Sequence, residues 1–85
     1  MTSADEARAN GYAVIPVHNR SAEPLNVVIE PWASGIILTP GASCEVWLRH
    51  DTFFGSDIDY AENYIAFYAE SAAIWQDGKM TLDLL

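Results

Sequence analysis

Short runs of β-branched and aromatic residues, each ended by a turn signal, fill the chain from Gly11 onward. Runs of this length and composition are typical of strands, because branched and aromatic side chains pack well on a pleated surface. Asp77-Gly78 is the strongest hairpin signal, since this dipeptide between two apolar runs favours a tight turn. The runs predicted as strands are 12–17, 25–30, 36–39, 43–49, 63–70, 73–76 and 79–84.

This pattern predicts an all-β fold in which residues 11–85 form a single small domain. We expect about seven short antiparallel strands that form a β-sandwich or barrel, because closure hides the edges of a sheet. Residues 1–10 are small and polar, and Ser3 followed by Glu6 is a capping-box pattern. A helix this short is marginal in isolation, so we predict a flexible N-terminal tail with at most one helical turn.

Charge and cysteine content restrict the classes of function. Twelve acidic and four basic residues give a formal net charge of −8, which disfavours binding to nucleic acid or to an anionic membrane surface. The acidity maintains solubility, offers a docking face to a basic partner, or mimics nucleic acid. Cys44 is the single cysteine, so no intrachain disulfide forms. The N-terminus lacks the pattern of a secretory signal, and we expect a cytoplasmic protein.

Alternation within the predicted strands separates two faces. Cys44 shares one face of the 43–49 run with Val46, which predicts that Cys44 is a small buried hydrophobe, while Trp47 lies on the opposite face. In the 63–70 run both faces are apolar. Such a sheet is covered on both sides or exposes aromatic side chains to a partner. Alternatively, the faces are assigned wrongly and all the aromatic residues belong to the core.

An interaction surface is the function that the aromatic residues favour, because interfaces are enriched in Trp, Tyr and Phe. We predict a non-catalytic protein-interaction or self-associating module that binds a protein partner or a second copy of itself. Trp32 either caps the edge of the core or faces the partner. The predicted contact surface combines the acidic 51–62 loop with Trp32, Trp47, Phe53, Phe54 and Tyr68.

The acidic 51–62 loop also supports an alternative, a small-ligand or metal-binding β domain. Its four carboxylates offer the oxygen ligands that calcium prefers. However, Gly55 precedes the Asp57 and Asp59 pair, so the EF-hand pattern is absent. A solvated acidic loop explains the same residues. We therefore predict neither a metal site nor another cofactor.

Patterns for copper binding and catalysis are weak or absent. His18, Cys44, His50 and Met80 are the ligand types of a blue-copper site, but Met80 lies far from the loop in which such ligands cluster. The chain has no G-x-S-x-G nucleophile elbow and no glycine-rich phosphate loop. We therefore predict no enzyme activity.

Three short motifs resemble a pattern of small uncharacterised bacterial proteins. In this chain they are Asn19-Arg20 ahead of Pro24-Leu25 at the start of a strand, then Glu30-Pro31-Trp32, and then Leu38-Thr39-Pro40-Gly41. The resemblance covers roughly residues 17–48. The resemblance implies a β-rich fold and no particular chemistry.

Overall fold

The computed structural model describes residues 1–49 and 58–85, and most of these residues lie in β-strands. Within these two ranges there are one helix, α1, and eight strands, β1 to β8. Their bounds are α1 Ala4–Ala9, β1 Ala13–His18, β2 Leu25–Glu30, β3 Ser34–Leu38, β4 Ser43–Arg49, β5 Ile58–Ala61, β6 Tyr64–Tyr68, β7 Ser71–Gln76 and β8 Lys79–Leu84.

The strands form two four-stranded sheets. Sheet A has the strand order β1-β4-β7-β8, and sheet B has the order β3-β2-β6-β5. Five of the neighbouring strand pairs are antiparallel. The sixth, β2 with β6, is parallel, with Val28 opposite Ala66. The prediction of a barrel is wrong, because each described sheet keeps two edge strands, and the prediction of antiparallel pairing fails at this one pair.

The predicted strand map is largely confirmed. Seven predicted runs match strands to within two residues at each end, and Asp77-Gly78 forms the expected hairpin with positive φ angles of 54° and 76°. The predicted map lacks β5, because its residues belong to the predicted acidic loop 51–62. Asp59 within β5 is a residue type depleted in strands, so the local pattern was weak.

One core cluster draws its side chains from both sheets. Cys44 belongs to this cluster and is only 6% exposed, which confirms its prediction as a buried hydrophobe. Asn19 is buried beside it and donates hydrogen bonds to the carbonyl oxygens of Glu23 (2.8 Å) and Leu38 (2.9 Å). The cluster contains Val17, Cys44, Val46, Leu48, Ala72 and Ile74 from sheet A, and Val27, Ile29, Leu38 and Phe67 from sheet B.

The N-terminal segment forms a helix, so the prediction of a flexible tail is wrong for residues 4–9. Ser3 caps this helix, since its hydroxyl oxygen accepts a hydrogen bond from the Glu6 amide at 3.1 Å. The Glu6 carboxylate accepts from the amide (3.2 Å) and hydroxyl (2.8 Å) of Thr2, which completes a variant of the capping box. Ala7 is fully buried. Tertiary packing therefore stabilises a helix that would be marginal alone.

Candidate interaction surface

The outer face of sheet A, opposite the shared core, is covered by the N-terminal segment. On this face Ala7, Tyr12, Trp47 and Ala73 form a second buried cluster, and Trp75 packs against it. The rings of Trp47 and Trp75 stack with their centroids 4.6 Å apart and their planes 19° apart. The chain itself therefore buries the aromatic residues of this face.

Tyr12 joins the N-terminal segment to sheet A through polar contacts as well as packing. Its hydroxyl hydrogen-bonds to the Ser71 hydroxyl at 3.0 Å. The guanidinium carbon of Arg49 lies 5.3 Å from the centre of the Tyr12 ring, within the range of a cation–π contact. These contacts fix the segment on the sheet at a point beyond the end of α1.

The outer face of sheet B, in contrast, exposes apolar side chains. Ile37 is 62% exposed and Tyr64 is 36% exposed. Alternation along β2 and β6 places Val28 and Tyr68 on the same face, because their neighbours Val27 and Phe67 point into the core. We call this surface the open face and define it by Val28, Glu30, Ile37, Asp59, Tyr64 and Tyr68.

Two adjoining grooves run across the open face, and Val28 lines both of them. The first groove, of about 260 Å³, lies over β2, β5 and β6. The second, of about 560 Å³, lies over β2 and β3. The first is lined by Val28, Glu30, Asp59, Tyr64, Ala66 and Tyr68, and the second by Asn26, Val27, Val28, Ala33, Gly35, Ile36 and Ile37.

Gly35 lets β3 approach β2 closely beneath the second groove. A Cβ atom at this position would overlap the carbonyl oxygen of Val27 and lie 2.9 Å from the Cα atom of Val28. Both contacts are with backbone atoms, which cannot rotate away. The groove over β2 and β3 therefore requires glycine at position 35.

Two carboxylates give the first groove a negative potential around a tyrosine. Burial raises the pKa of Tyr68, and the charges of Asp59 and Glu30 raise it further. A hydrogen bond between the Tyr68 side chain and Asp59 acts in the same direction, because the phenol donates to the carboxylate only while it is protonated. Tyr68 is therefore a neutral aromatic ring beside two anionic groups.

Besides Asp59 of the acidic loop, two residues of the predicted contact surface adjoin the open face. Tyr68 belongs to it, opposite Glu30 on the neighbouring strand. Trp32 lies in the turn between β2 and β3 and is 44% exposed. Phe53 and Phe54 lie outside the described residues, as do residues 51–57 of the acidic loop. The structure thus brings Tyr68 and Trp32 to sheet B.

Trp47 requires a correction. It is only 1% exposed, because α1 and Trp75 cover it on the outer face of sheet A. Its indole nitrogen donates a hydrogen bond to the Glu45 carboxylate at 3.2 Å. Alternation correctly placed Trp47 opposite the shared core. The covering element is the segment predicted as a tail, so Trp47 stabilises the fold and is not a surface contact.

Ile37, Val28 and Tyr64 are members of the open face that the predicted contact surface omitted. Tyr64 had a usable signal, since its spacing of four residues puts it on the same strand face as Tyr68. Ile37 had none, because the apolar run that contains it does not alternate. Its exposure follows from the pairing of β3 with β2, which is a property of the tertiary fold.

Another groove, of about 440 Å³, lies between the N-terminal residues and sheet A. Its lining includes exposed His18 together with Glu45 and Trp75. The indole nitrogen of Trp75 is buried and has no hydrogen-bond partner among the described residues. Because this atom has almost no accessible surface, a ligand in the groove would not reach it without a rearrangement.

The described residues show neither a grouped set of metal-ligand side chains nor an exposed thiol. In residues 1–49 and 58–85, no three His, Cys, Asp or Glu side chains are grouped to hold a metal ion. Cys44 lies in the shared core, whereas Met80 packs on the opposite face of sheet A, so these two copper-ligand types are separated. Burial, and secondarily Glu45, raises the pKa of Cys44 to about 11. The thiol therefore stays protonated and weakly nucleophilic at neutral pH.

The chain matches no protein-family model, no curated protein and no solved structure. The resemblance of residues 17–48 to small bacterial β-rich proteins therefore stays a prediction. Among the residues that the structure describes, no helix is long and apolar enough to cross a membrane.

Proposed function

We propose that the chain is a non-catalytic protein-binding module whose contact surface is the open face. The supporting observation is the contrast between the two outer faces. The chain covers the apolar outer face of sheet A with its own helix, whereas Ile37 and Tyr64 on sheet B remain in contact with solvent. Exposed apolar surface rimmed by polar groups is typical of protein interaction sites.

Tyr68 and Trp32 are the proposed aromatic anchors of this surface. Tyr and Trp are enriched among the residues that contribute most to binding, because they bury a large area with few rotatable bonds. Tyr68 adjoins the first groove, and Trp32 projects from the turn between the two strands that border the second groove. A partner in the first groove would bury Tyr68, and a partner that also covers the turn between β2 and β3 would bury Trp32.

The proposed partner is a protein with a basic contact surface. Glu30 and Asp59 supply carboxylates on the open face, and the chain has a formal net charge of −8. Both features attract and orient a positively charged protein. A symmetric dimer would instead place this acidic patch against its own copy, because a two-fold interface uses the same patch on both subunits. We therefore propose that the isolated chain is monomeric.

We also propose that sheets A and B are the two layers of a β-sandwich, since one core cluster draws on both. In such an arrangement the open face consists of strands supported from below by Val27, Ile29 and Phe67. Binding residues on strands hold their positions better than residues on loops. The open face is therefore suited to bind a partner without rearrangement.

Affinity capture with matched baits tests this function. The baits are the native chain, the double variant Tyr64→Ser/Tyr68→Ser, and the control Tyr60→Ser, incubated with lysate from the source organism. Tyr60 is a suitable control because it is 79% exposed and alternates with Asp59 onto the other side of β5. Circular dichroism confirms that each bait is folded, and light scattering measures its mass in solution.

We expect the native and Tyr60→Ser baits to recover the same basic protein and the double variant to lose it. A protein recovered equally by all three folded baits would contradict the proposed surface. If the native chain forms a stable dimer and the double variant is monomeric, the open face is a self-association surface. That result would overturn the proposed basic partner.

A further inference from the structure

The first groove of the open face has a shape and composition that select one kind of side chain. Its centre is Ala66, which lies between Tyr64 and Tyr68 on the same face of β6. The two tyrosine Cα atoms are about 13 Å apart, at the usual rise of a strand. Val28 and Asp59 pair with Ala66 from the strands on either side. A small residue among larger neighbours creates a depression that is open to solvent.

From this geometry we infer that the groove binds the guanidinium group of an arginine side chain presented by the basic partner. The inference rests on the proposed function and adds the chemistry of the bound group. Val28 and Ala66 would contact the aliphatic part of the arginine side chain. The planar guanidinium would stack on Tyr68 and donate hydrogen bonds to Glu30 and Asp59.

The two carboxylates lie on the strands on either side of β6, and the charges of both act on Tyr68. Glu30 lies directly opposite Tyr68 on β2, and Asp59 lies opposite Ala66 on β5, on the other side of β6. Neither carboxylate forms an ion pair with a basic side chain in the part of the chain that the structure describes. The hydrogen bond from Tyr68 uses one acceptor position of Asp59, so both Asp59 and Glu30 keep positions that can accept from the ligand.

Arginine fits this groove better than lysine. A guanidinium is planar and weakly hydrated, so it stacks on an aromatic ring while its N–H groups point sideways to acceptors. Glu30 and Asp59 supply such acceptors, because they lie on the strands on either side of β6, which carries Tyr68. A lysine ammonium is a compact, strongly hydrated charge and would use the carboxylates but gain little from the ring.

Nuclear magnetic resonance titration with short peptides tests the inference. The probes are acetyl-Gly-Ser-Arg-Ser-Gly-amide and two analogues in which lysine or citrulline replaces arginine. Citrulline keeps the shape of arginine without its charge. Backbone amide shifts locate the bound peptide, and their dependence on peptide concentration gives the dissociation constant for the native chain.

We expect the arginine peptide to shift amides of β2, β5 and β6. Its dissociation constant should be about tenfold lower than that of the citrulline peptide, as charge-assisted hydrogen bonds require, and also lower than that of the lysine peptide. The double variant Glu30→Gln/Asp59→Asn should weaken arginine binding about tenfold. The control Asp5→Asn/Asp83→Asn removes the same number of charges from exposed positions on other parts of the chain and should leave binding unchanged.

Two substitutions at Tyr68 separate the contribution of the ring from that of its hydroxyl. Tyr68→Phe keeps the stacking surface and releases Asp59 from the phenol, so arginine binding should be retained. Tyr68→Ser removes the ring and should weaken binding. Because phenylalanine is close to tyrosine in size, Tyr68→Phe keeps the test valid if Tyr68→Ser disturbs the fold.

Three results would overturn the inference: equal binding of arginine and citrulline peptides, equal binding of arginine and lysine peptides, or shifts confined to strands outside sheet B. None of these decides the proposed function, because the capture experiment compares whole baits and requires no particular ligand side chain. Conversely, peptide binding at the groove alongside failed capture would leave the arginine site standing and contradict the protein-binding role.

Discussion

The two sheets both carry apolar side chains on their outer faces, but the chain covers one of these faces and leaves the other exposed. On sheet A, α1 and Tyr12 cover Trp47 so completely that it is 1% exposed. On sheet B, Ile37 is 62% exposed, and the surrounding surface is a pair of grooves. The same chemical type of surface is thus part of the fold in one sheet and accessible to a partner in the other.

This difference shows that an apolar sheet face alone does not indicate a binding site. Whether another segment of the chain covers an apolar face decides whether that face belongs to the core or is available to a partner. Six helical residues and a tyrosine are enough to convert the outer face of sheet A into a second core. Substitutions on the two faces should therefore have opposite consequences, with stability affected on sheet A and binding affected on sheet B.

Removal of Trp47 should produce the largest loss of stability. Trp47→Ala leaves a cavity beneath α1 and removes the stacking partner of Trp75. The expected loss in the free energy of unfolding is about 3–5 kcal/mol, as for other buried aromatic residues. Urea denaturation followed by circular dichroism measures this loss.

The matched control is Trp32→Ala, because Trp32 is 44% exposed beside the open face. This variant should lose less than about 1 kcal/mol, as exposed substitutions usually do. Equal losses in the two variants would mean that the two tryptophans do not differ in role, and the comparison between the faces would fail.

Gly35→Ala should have the next largest effect, since the added Cβ has no room beside the backbone of Val27 and Val28. Displacement of β3 from β2 should cost about 1–3 kcal/mol, the usual range for overpacking. Urea denaturation again measures the effect. The neighbouring variant Ser34→Ala serves as the control and should stay within about 0.5 kcal/mol of the native chain. A stable Gly35→Ala variant would show that the open face tolerates a wider separation of these strands.

Ser3→Ala should have the smallest effect of the three. It removes the acceptor for the Glu6 amide at the first turn of α1, which should cost about 1 kcal/mol. Ser3→Asp restores an acceptor and should recover most of that stability. Urea denaturation measures both variants. Unchanged stability of Ser3→Ala would contradict the stabilising role of the Ser3 cap.

The sequence predicts the strands well because their signals are local. Turn dipeptides such as Asp77-Gly78 and the alternation around Cys44 depend on neighbouring residues only. The capping pattern of Ser3 and Glu6 was also visible. The prediction of a flexible tail is wrong for residues 4–9, because α1 is stabilised by contacts with sheet A that no local rule reports.

The candidate site was harder to predict because it depends on pairing between distant strands. The parallel pairing of β2 with β6 brings Glu30 opposite Tyr68, although the two residues are far apart in the chain. Alternation could place Trp47 opposite the core but could not identify what covers it. Tyr68 was predicted as a contact residue from its aromatic character, whereas Ile37 required knowledge of the strand order.

The most direct test of the account is to capture a partner with two baits altered on opposite sides of the protein. One bait is Tyr64→Ser/Tyr68→Ser on the open face. The other is Asp5→Ala/Arg8→Ala, which changes exposed side chains of the helix that covers sheet A. We predict that the helix variant recovers the partner as the native chain does and that the open-face variant loses it. Recovery by the open-face variant with loss by the helix variant would contradict the account and place the binding surface on sheet A.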